Sequence, residues 1–158
     1  TMAAEAVPLR VVIVTMDNHL ASATARAALQ LAREAPGVVL TMHTAAEWGC
    51  RPEALERCIA DIGRADIIIC TMLFMHDHIQ AVLPALKARR EHCDALIACM
   101  SAGEVAKLTR MGRFDMSAKE SGAMALLKRL RPKPKEGEQN NSSGARQMRM
   151  LRSLPQIL

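Results

Sequence analysis

The sequence predicts an α/β domain: an open parallel sheet of about four strands with helices on both faces. Three observations carry this reading. Four short apolar runs, rich in Val and Ile, recur along the chain. Longer segments with helical spacing separate them. The runs also lack the polar alternation of a half-solvated sheet, as expected for parallel strands covered on both sides.

The first run, "RVVIVTM", ends at Met16, and "ASATARAALQLAREA" follows it with Ala and Leu at helical spacing. "GVVLTM" ends at Met42. The next helix, "PEALERCIADIGRA", opens on Pro52, which suits a first turn, and closes near Gly63. "ADIIICTM" ends at Met72. A third helix is expected from about Asp77 to Arg90, with Ile79, Val82, Leu83 and Leu86 facing the sheet and Pro84 as a source of a kink. "DALIACM" ends the fourth strand at Met100. Two capping-box patterns follow, Ser101 with Glu104 and Ser117 with Glu120, each expected to start a helix.

The α/β domain is expected to span residues 1–131. The stretch 132–145, "PKPKEGEQNNSSGA", has the Pro, Lys, Glu, Asn, Ser and Gly content of a flexible linker. Residues 146–158, "RQMRMLRSLPQIL", read as a basic helical tail that begins a further structural unit, which would make the chain a fragment of a larger subunit. The pattern is that of a Rossmann or flavodoxin-like doubly wound sheet.

Charge argues against a nucleic-acid partner. The net +5 divides unevenly: Thr1 to Leu127 carries 13 Lys and Arg against 14 Asp and Glu, whereas Lys128 to Leu158 carries 8 against 2. The body is thus near neutral. With aromatics at 2% and no Tyr, few rings are available to stack bases. The five cysteines, Cys50, Cys58, Cys70, Cys93 and Cys99, form no CxxC pair and cannot all join in disulfides, so reduced thiols in the cytoplasm are expected. The apolar runs are too short for a transmembrane segment or a signal-peptide core.

Ligands of open α/β sheets collect at the carboxyl ends of the strands, where strand order reverses. With order 2-1-3-4 that crevice lies between strands one and three. It would set "DNH", Asp17 to His19, opposite "HDH", His76 to His78, with Met16, Met42, Met72 and Met100 closing the four strands. Two readings stand side by side for the histidines. If the loop persists through His78 they could converge on a metal; if they lie in the helix they diverge, and His76 or Asp77 serves as its cap. The methionines serve either as packing at the rim or as an adaptable contact surface. No GxxxxGK, GxGxxG, GxSxG or HExxH motif is present. No catalytic residue and no metal ligand is assigned. The expected site is a contacting rim of Met16, Asp17, His19, Met72, His76, Asp77, His78 and Met100.

Longer strings carry a resemblance. "VVIVTMDNHLASA", "ADIIICTMLFMHDHI", "MSAGEVAKLTRMGRFDM" and "KESGAMALLKRLR", with the final "MLRSLPQIL", resemble the N-terminal region of the large, porphyrin-binding H subunit of magnesium chelatase, of the bacteriochlorophyll-making type. The large subunit of the cobalt-inserting chelatase is a weaker match. The resemblance implies a part in an enzyme that inserts Mg2+ into protoporphyrin IX for chlorophyll biosynthesis, with ATP hydrolysed by AAA+ partner subunits. It implies the remainder of the large subunit as a further partner and no cofactor in this segment, which alone is not expected to be catalytic. Two other roles fit the sequence: a docking module for the motor subunits without ligand contact, or an independent α/β domain for a small ligand.

Overall fold

The computed structural model describes residues 7–117. Strand β1 (Leu9–Thr15) is followed by helix α1 (Ala21–Glu34), β2 (Val38–Thr44), a 3-10 turn (Ala45–Glu47), α2 (Pro52–Ile62), β3 (Ile67–Thr71), α3 (His76–Arg90), β4 (Ala95–Cys99), the short α4 (Gly103–Ala106), β5 (Arg110–Met111) and β6 (Phe114–Asp115). The sheet order is β2-β1-β3-β4-β5-β6. The first four strands are parallel in the expected order 2-1-3-4, and β5 and β6 add antiparallel. Among the described residues the sheet therefore has six strands, two more than the apolar runs announce. No described helix is long and apolar enough to cross a membrane.

The in-register pairing Val12↔Ile68↔Leu96 and Val14↔Cys70↔Ala98 puts these six side chains on one face. All six are buried, under Ala54, Cys58 and Ile62 of α2 and Ile79, Val82, Leu83 and Leu86 of α3. Each fully buried Leu or Ile there contributes about 1.5–3 kcal/mol of transfer free energy. Val11, Ile13, Ile67, Ile69 and Ile97 point the other way and are only half-buried. Helix α1 lies on that side, where Thr24 meets the Met42 sulfur at 3.5 Å, yet no residue of α1 is fully buried and Leu29 is 65% exposed.

Helix α3 runs through Pro84, and the four residues expected to face the sheet are all buried. Three expectations are corrected. Strand β2 does not stop at Met42 but continues through His43 and Thr44, because its edge register with β1 extends to Thr15↔Thr44. The N-cap of α3 is Met75, with no side-chain cap bond, so neither His76 nor Asp77 caps it. Ser101 does not cap α4 either, whose N-cap is Ala102. Its hydroxyl instead accepts from the Leu73 backbone N–H at 3.2 Å and donates to the Cys99 carbonyl at 3.1 Å, tying the ends of β3 and β4 together. The second capping box, the linker at 132–145, the tail at 146–158 and the boundary at 131 reach beyond the described residues.

Two guanidinium groups tie the β5–β6 hairpin to the end of α3: Arg110 Nη1 donates to the Arg90 and Cys93 carbonyls at 3.1 and 3.4 Å, and Arg90, which is buried, makes the larger set. Arg90, at the end of α3, donates Nε to the Leu108 carbonyl at 2.9 Å, Nη1 to Glu91 at 2.6 Å, and Nη2 to Ser117 at 3.0 Å and to Asp115. Thr109 adds a side-chain rung beside β4, accepting from the Ala98 N–H at 3.0 Å and donating back to its carbonyl at 3.3 Å. Of the free thiols, Cys58, Cys70 and Cys93 are buried and Cys50 and Cys99 exposed. Burial pushes the Cys58 and Cys70 thiols up to about 12.

Candidate functional site

Strand order turns between β1 and β3, so their outgoing loops lead to helices on opposite faces, and the carboxyl edge there is where a ligand or partner would be met. The loop after β1 is locally closed. Asp17 accepts from the His19 backbone N–H at 3.1 Å and from its ring Nδ1, and these bonds hold the Asp17 carboxyl below its ordinary range. Both side chains remain close to half exposed.

The exits of β3 and β4 are built from methionine. Met72 and Met100 both adopt left-handed backbone, with φ of 60° and 46°, and the Met72 N–H donates to the Met100 carbonyl at 3.0 Å. For a side chain with a Cβ this conformation costs about 1–2 kcal/mol per residue. Strain of this kind persists only where surrounding structure holds it, and it clusters at functional edges. Leu73 between them is buried, whereas Phe74 and Met75 are exposed and Met100 is 71% exposed. The result is an apolar, deformable patch on the rim.

The exit of β2 is polar. His43 Nε2 donates to Asp61 at 2.9 Å, and Asp61 also accepts from Arg64 at 2.7 Å. Burial pushes the Asp61 carboxyl up, but the bonds from Arg64 and His43 outweigh it and leave the group below its ordinary value. An ionised carboxylate can only accept, so a ring hydrogen of His43 sits on Nε2. Beyond it, the Ala46 N–H donates to the Met16 carbonyl at 2.8 Å. Trp48, 7% exposed, then meets the His78 ring edge-to-face at 5.9 Å and 74°.

Trp48 follows β2 and His78 follows β3, and both strands flank β1, so their contact spans the carboxyl end of β1. Thr15, the last residue of β1, is fully buried there, and among the described residues neither its hydroxyl nor the buried His78 Nδ1 has a hydrogen-bond partner. A pocket of about 420 Å³ opens on the β2 side, lined by Asn18, Met42, His43, Glu47, Trp48 and Arg57 among others.

The structure brings Asp17 to His19 and Met72 to Met100. Met16 is half-buried, and its carbonyl accepts from the Ala46 N–H of the neighbouring turn. It does not join "DNH" to "HDH": among the described residues no hydrogen bond, ion pair or ring contact links them. Two residues apart on α3, His76 is exposed while His78 turns to Trp48, as helical geometry requires. No group of three His, Cys, Asp or Glu converges among the described residues. Sequence reasoning missed His43, Asp61 and Trp48. The His43–Asp61 pair joins a strand end to a helix 18 residues away and has no local motif; the available signal was a histidine at the end of an otherwise apolar strand.

Fold and edge together define an open, doubly wound α/β domain with a methionine-lined rim and a polar pocket beside it. Over residues 10–158 the chain matches, and belongs to, the family described as Domain of unknown function (DUF3479). It is 48% identical over 148 residues to the magnesium-chelatase H subunit of Cereibacter sphaeroides, covering 94% of this chain and 12% of that protein. The protein of the same name from Rhodobacter capsulatus is 39% identical over the same shares. The chloroplastic ChlH subunit of magnesium chelatase from Oryza sativa subsp. indica is 24% identical over 106 residues, 67% of this chain and 7% of the relative. The chain thus spans about an eighth of the length of its two bacterial relatives.

Proposed function

We propose that this chain is an N-terminal segment of the porphyrin-binding H subunit of a magnesium chelatase, contributing in the cytoplasm to the insertion of Mg2+ into protoporphyrin IX for chlorophyll-type biosynthesis. The observation that carries the reading is 48% identity across 94% of the chain to a protein named as that subunit. In this reading ATP is hydrolysed by AAA+ partner subunits, and Mg2+ and the porphyrin are substrates of the whole assembly. The segment is a non-catalytic rim. Met16, Met72 and Met100, with Phe74 and Met75, offer an adaptable apolar surface to the remainder of the subunit, and Asp17, His19, His76, Asp77 and His78 form its polar border.

Metal insertion must remove two pyrrole protons, and a histidine suits that task only within hydrogen-bond reach of the macrocycle. His78 is turned against Trp48 and His76 is exposed, which supports a border role. In the full-length subunit, His76→Ala with His78→Ala should lower chelatase turnover by less than the ~100-fold low end for loss of a general base. A larger loss with porphyrin affinity and subunit assembly intact would overturn the border role. A titration of this chain with a water-soluble porphyrin, followed by visible absorption, should show no saturable shift while the full subunit does.

A further inference from the structure

We propose that the pocket beside β2 binds a small organic carboxylate that also carries a hydroxyl group. The inference stands independently of the chelatase reading and rests on which charges in the pocket are already taken up. Glu47 lies 3.5 Å from Arg51, and Asp61 behind the wall is shared between Arg64 and His43. Arg57 has no carboxylate within ion-pair distance among the described residues; its charge reaches Glu53 only at longer range, which leaves its N–H donors available on the pocket wall. That fork matches a carboxylate in two-point geometry.

His43 supplies the second contact. Its Nε2–H is committed to Asp61, which fixes the ring and leaves Nδ1 without a hydrogen bond among the described residues. A hydroxyl suits this nitrogen in either ring state, donating to a bare Nδ1 or accepting from an Nδ1–H. Asn18 and Thr44 add further polar contacts on the same lining, and Met42 and the edge of Trp48 supply apolar wall. A volume of about 420 Å³ falls within the range of small-molecule sites. The pocket also sits at the carboxyl edge, beside the point where strand order turns.

Trp48 is the only tryptophan of the chain, so its emission reports the pocket without an added label. The full chain of 158 residues is titrated with L-malate and with succinate, which differ by one hydroxyl, at constant ionic strength held with sodium chloride. L-malate should change Trp48 emission saturably in the millimolar range and raise the melting temperature. Succinate should bind about 3- to 10-fold more weakly, the value of one neutral hydrogen bond. Arg57→Gln, an exposed position whose change leaves the core intact, should weaken malate about 10-fold or more. His43→Phe should erase the difference between the two acids while retaining succinate binding. Inorganic phosphate should compete poorly, because it matches Arg57 but has no carbon framework to lie against Met42 and Trp48. Equal affinity for malate and succinate, an Arg57→Gln variant that binds as the parent does, phosphate binding tighter than malate, or no saturable response would each overturn the proposal.

Discussion

The two faces of the sheet draw on the same β-branched runs, yet one is sealed and the other is half covered among the described residues. Val12, Val14, Ile68 and Leu96 lie under α2 and α3 with almost no exposure. Val11, Ile13, Ile67, Ile69 and Ile97 alternate with them along the same strands and keep partial access. Composition does not distinguish the two sets; the helix above each does. Helix α1 is alanine-rich and contributes no fully buried side chain, whereas α2 and α3 seat Ile62, Ile79, Val82 and Leu86. Stability should therefore be lodged mainly on one side of a sheet whose sequence looks apolar on both.

Neighbouring residues of β4 offer the sharpest way to break that comparison. Leu96→Ala removes a fully buried side chain from the sealed face and should cost about 2–5 kcal/mol. Ile97→Ala, next along the strand, should cost less than half of whatever Leu96→Ala costs. Urea unfolding of the two variants measures both, and equal losses would show that the α1 face contributes as much as the other.

A second test moves from the faces to the far edge of the sheet, where β5 and β6 depend on Arg90. Arg90→Ala should cost about 1–3 kcal/mol, since it leaves the buried Leu108 carbonyl without its guanidinium donor. The loss should fall on the hairpin rather than on the sealed face, visible as faster amide exchange around residues 108–115. Acid sharpens the same point. Ser117 hydrogen bonds, first from its hydroxyl and then from its backbone N–H, together with Arg90, hold Asp115 down at about 2, against an ordinary 3.8. A carboxyl whose folded pKa is depressed stabilises the fold above its unfolded value and loses that contribution as pH falls through the folded one. Stability should thus decline from about pH 4 toward pH 2, and Arg90→Ala should flatten part of that slope.

The smallest expected effect lies on the rim. Met100→Gly relieves a left-handed backbone at an exposed position but adds chain entropy to the unfolded state, so the net gain should be at most about 1 kcal/mol. Met100→Val, branched at Cβ, should lose about 1 kcal/mol at the same site. Thermal melts of the two variants should differ in sign. If they coincide, the rim is not held in strain.

The parallel part of the fold was legible because its signals are local. Continuous Val and Ile runs mark covered strands, the intervening periodicity marks helices, and a right-handed crossover rule then leaves few strand orders. The buried stripe of α3 was readable from Ile79, Val82, Leu83 and Leu86 alone. The hairpin was not, because two-residue strands have no period and its anchor, Arg90, belongs to another element. The site divides in the same way. Met72 and Met100 stood out as strand ends, whereas the His43–Asp61 bond, the Trp48–His78 contact and the role of Ser101 between two strands depend on partners that only folding brings together.

The distribution of thiols turns the sealed face into a clock. Cys50 and Cys99 stand in solvent, while Cys58 and Cys70 sit in the layer between α2, α3 and the sheet, with their ionisation pushed far above neutral pH. An alkylating reagent reacts with thiolate, so the outer pair should be modified at once and the inner thiols only when that layer opens. Counting added groups by mass against time would separate local opening from whole-chain unfolding, with the protein's own sulfur atoms as the timers.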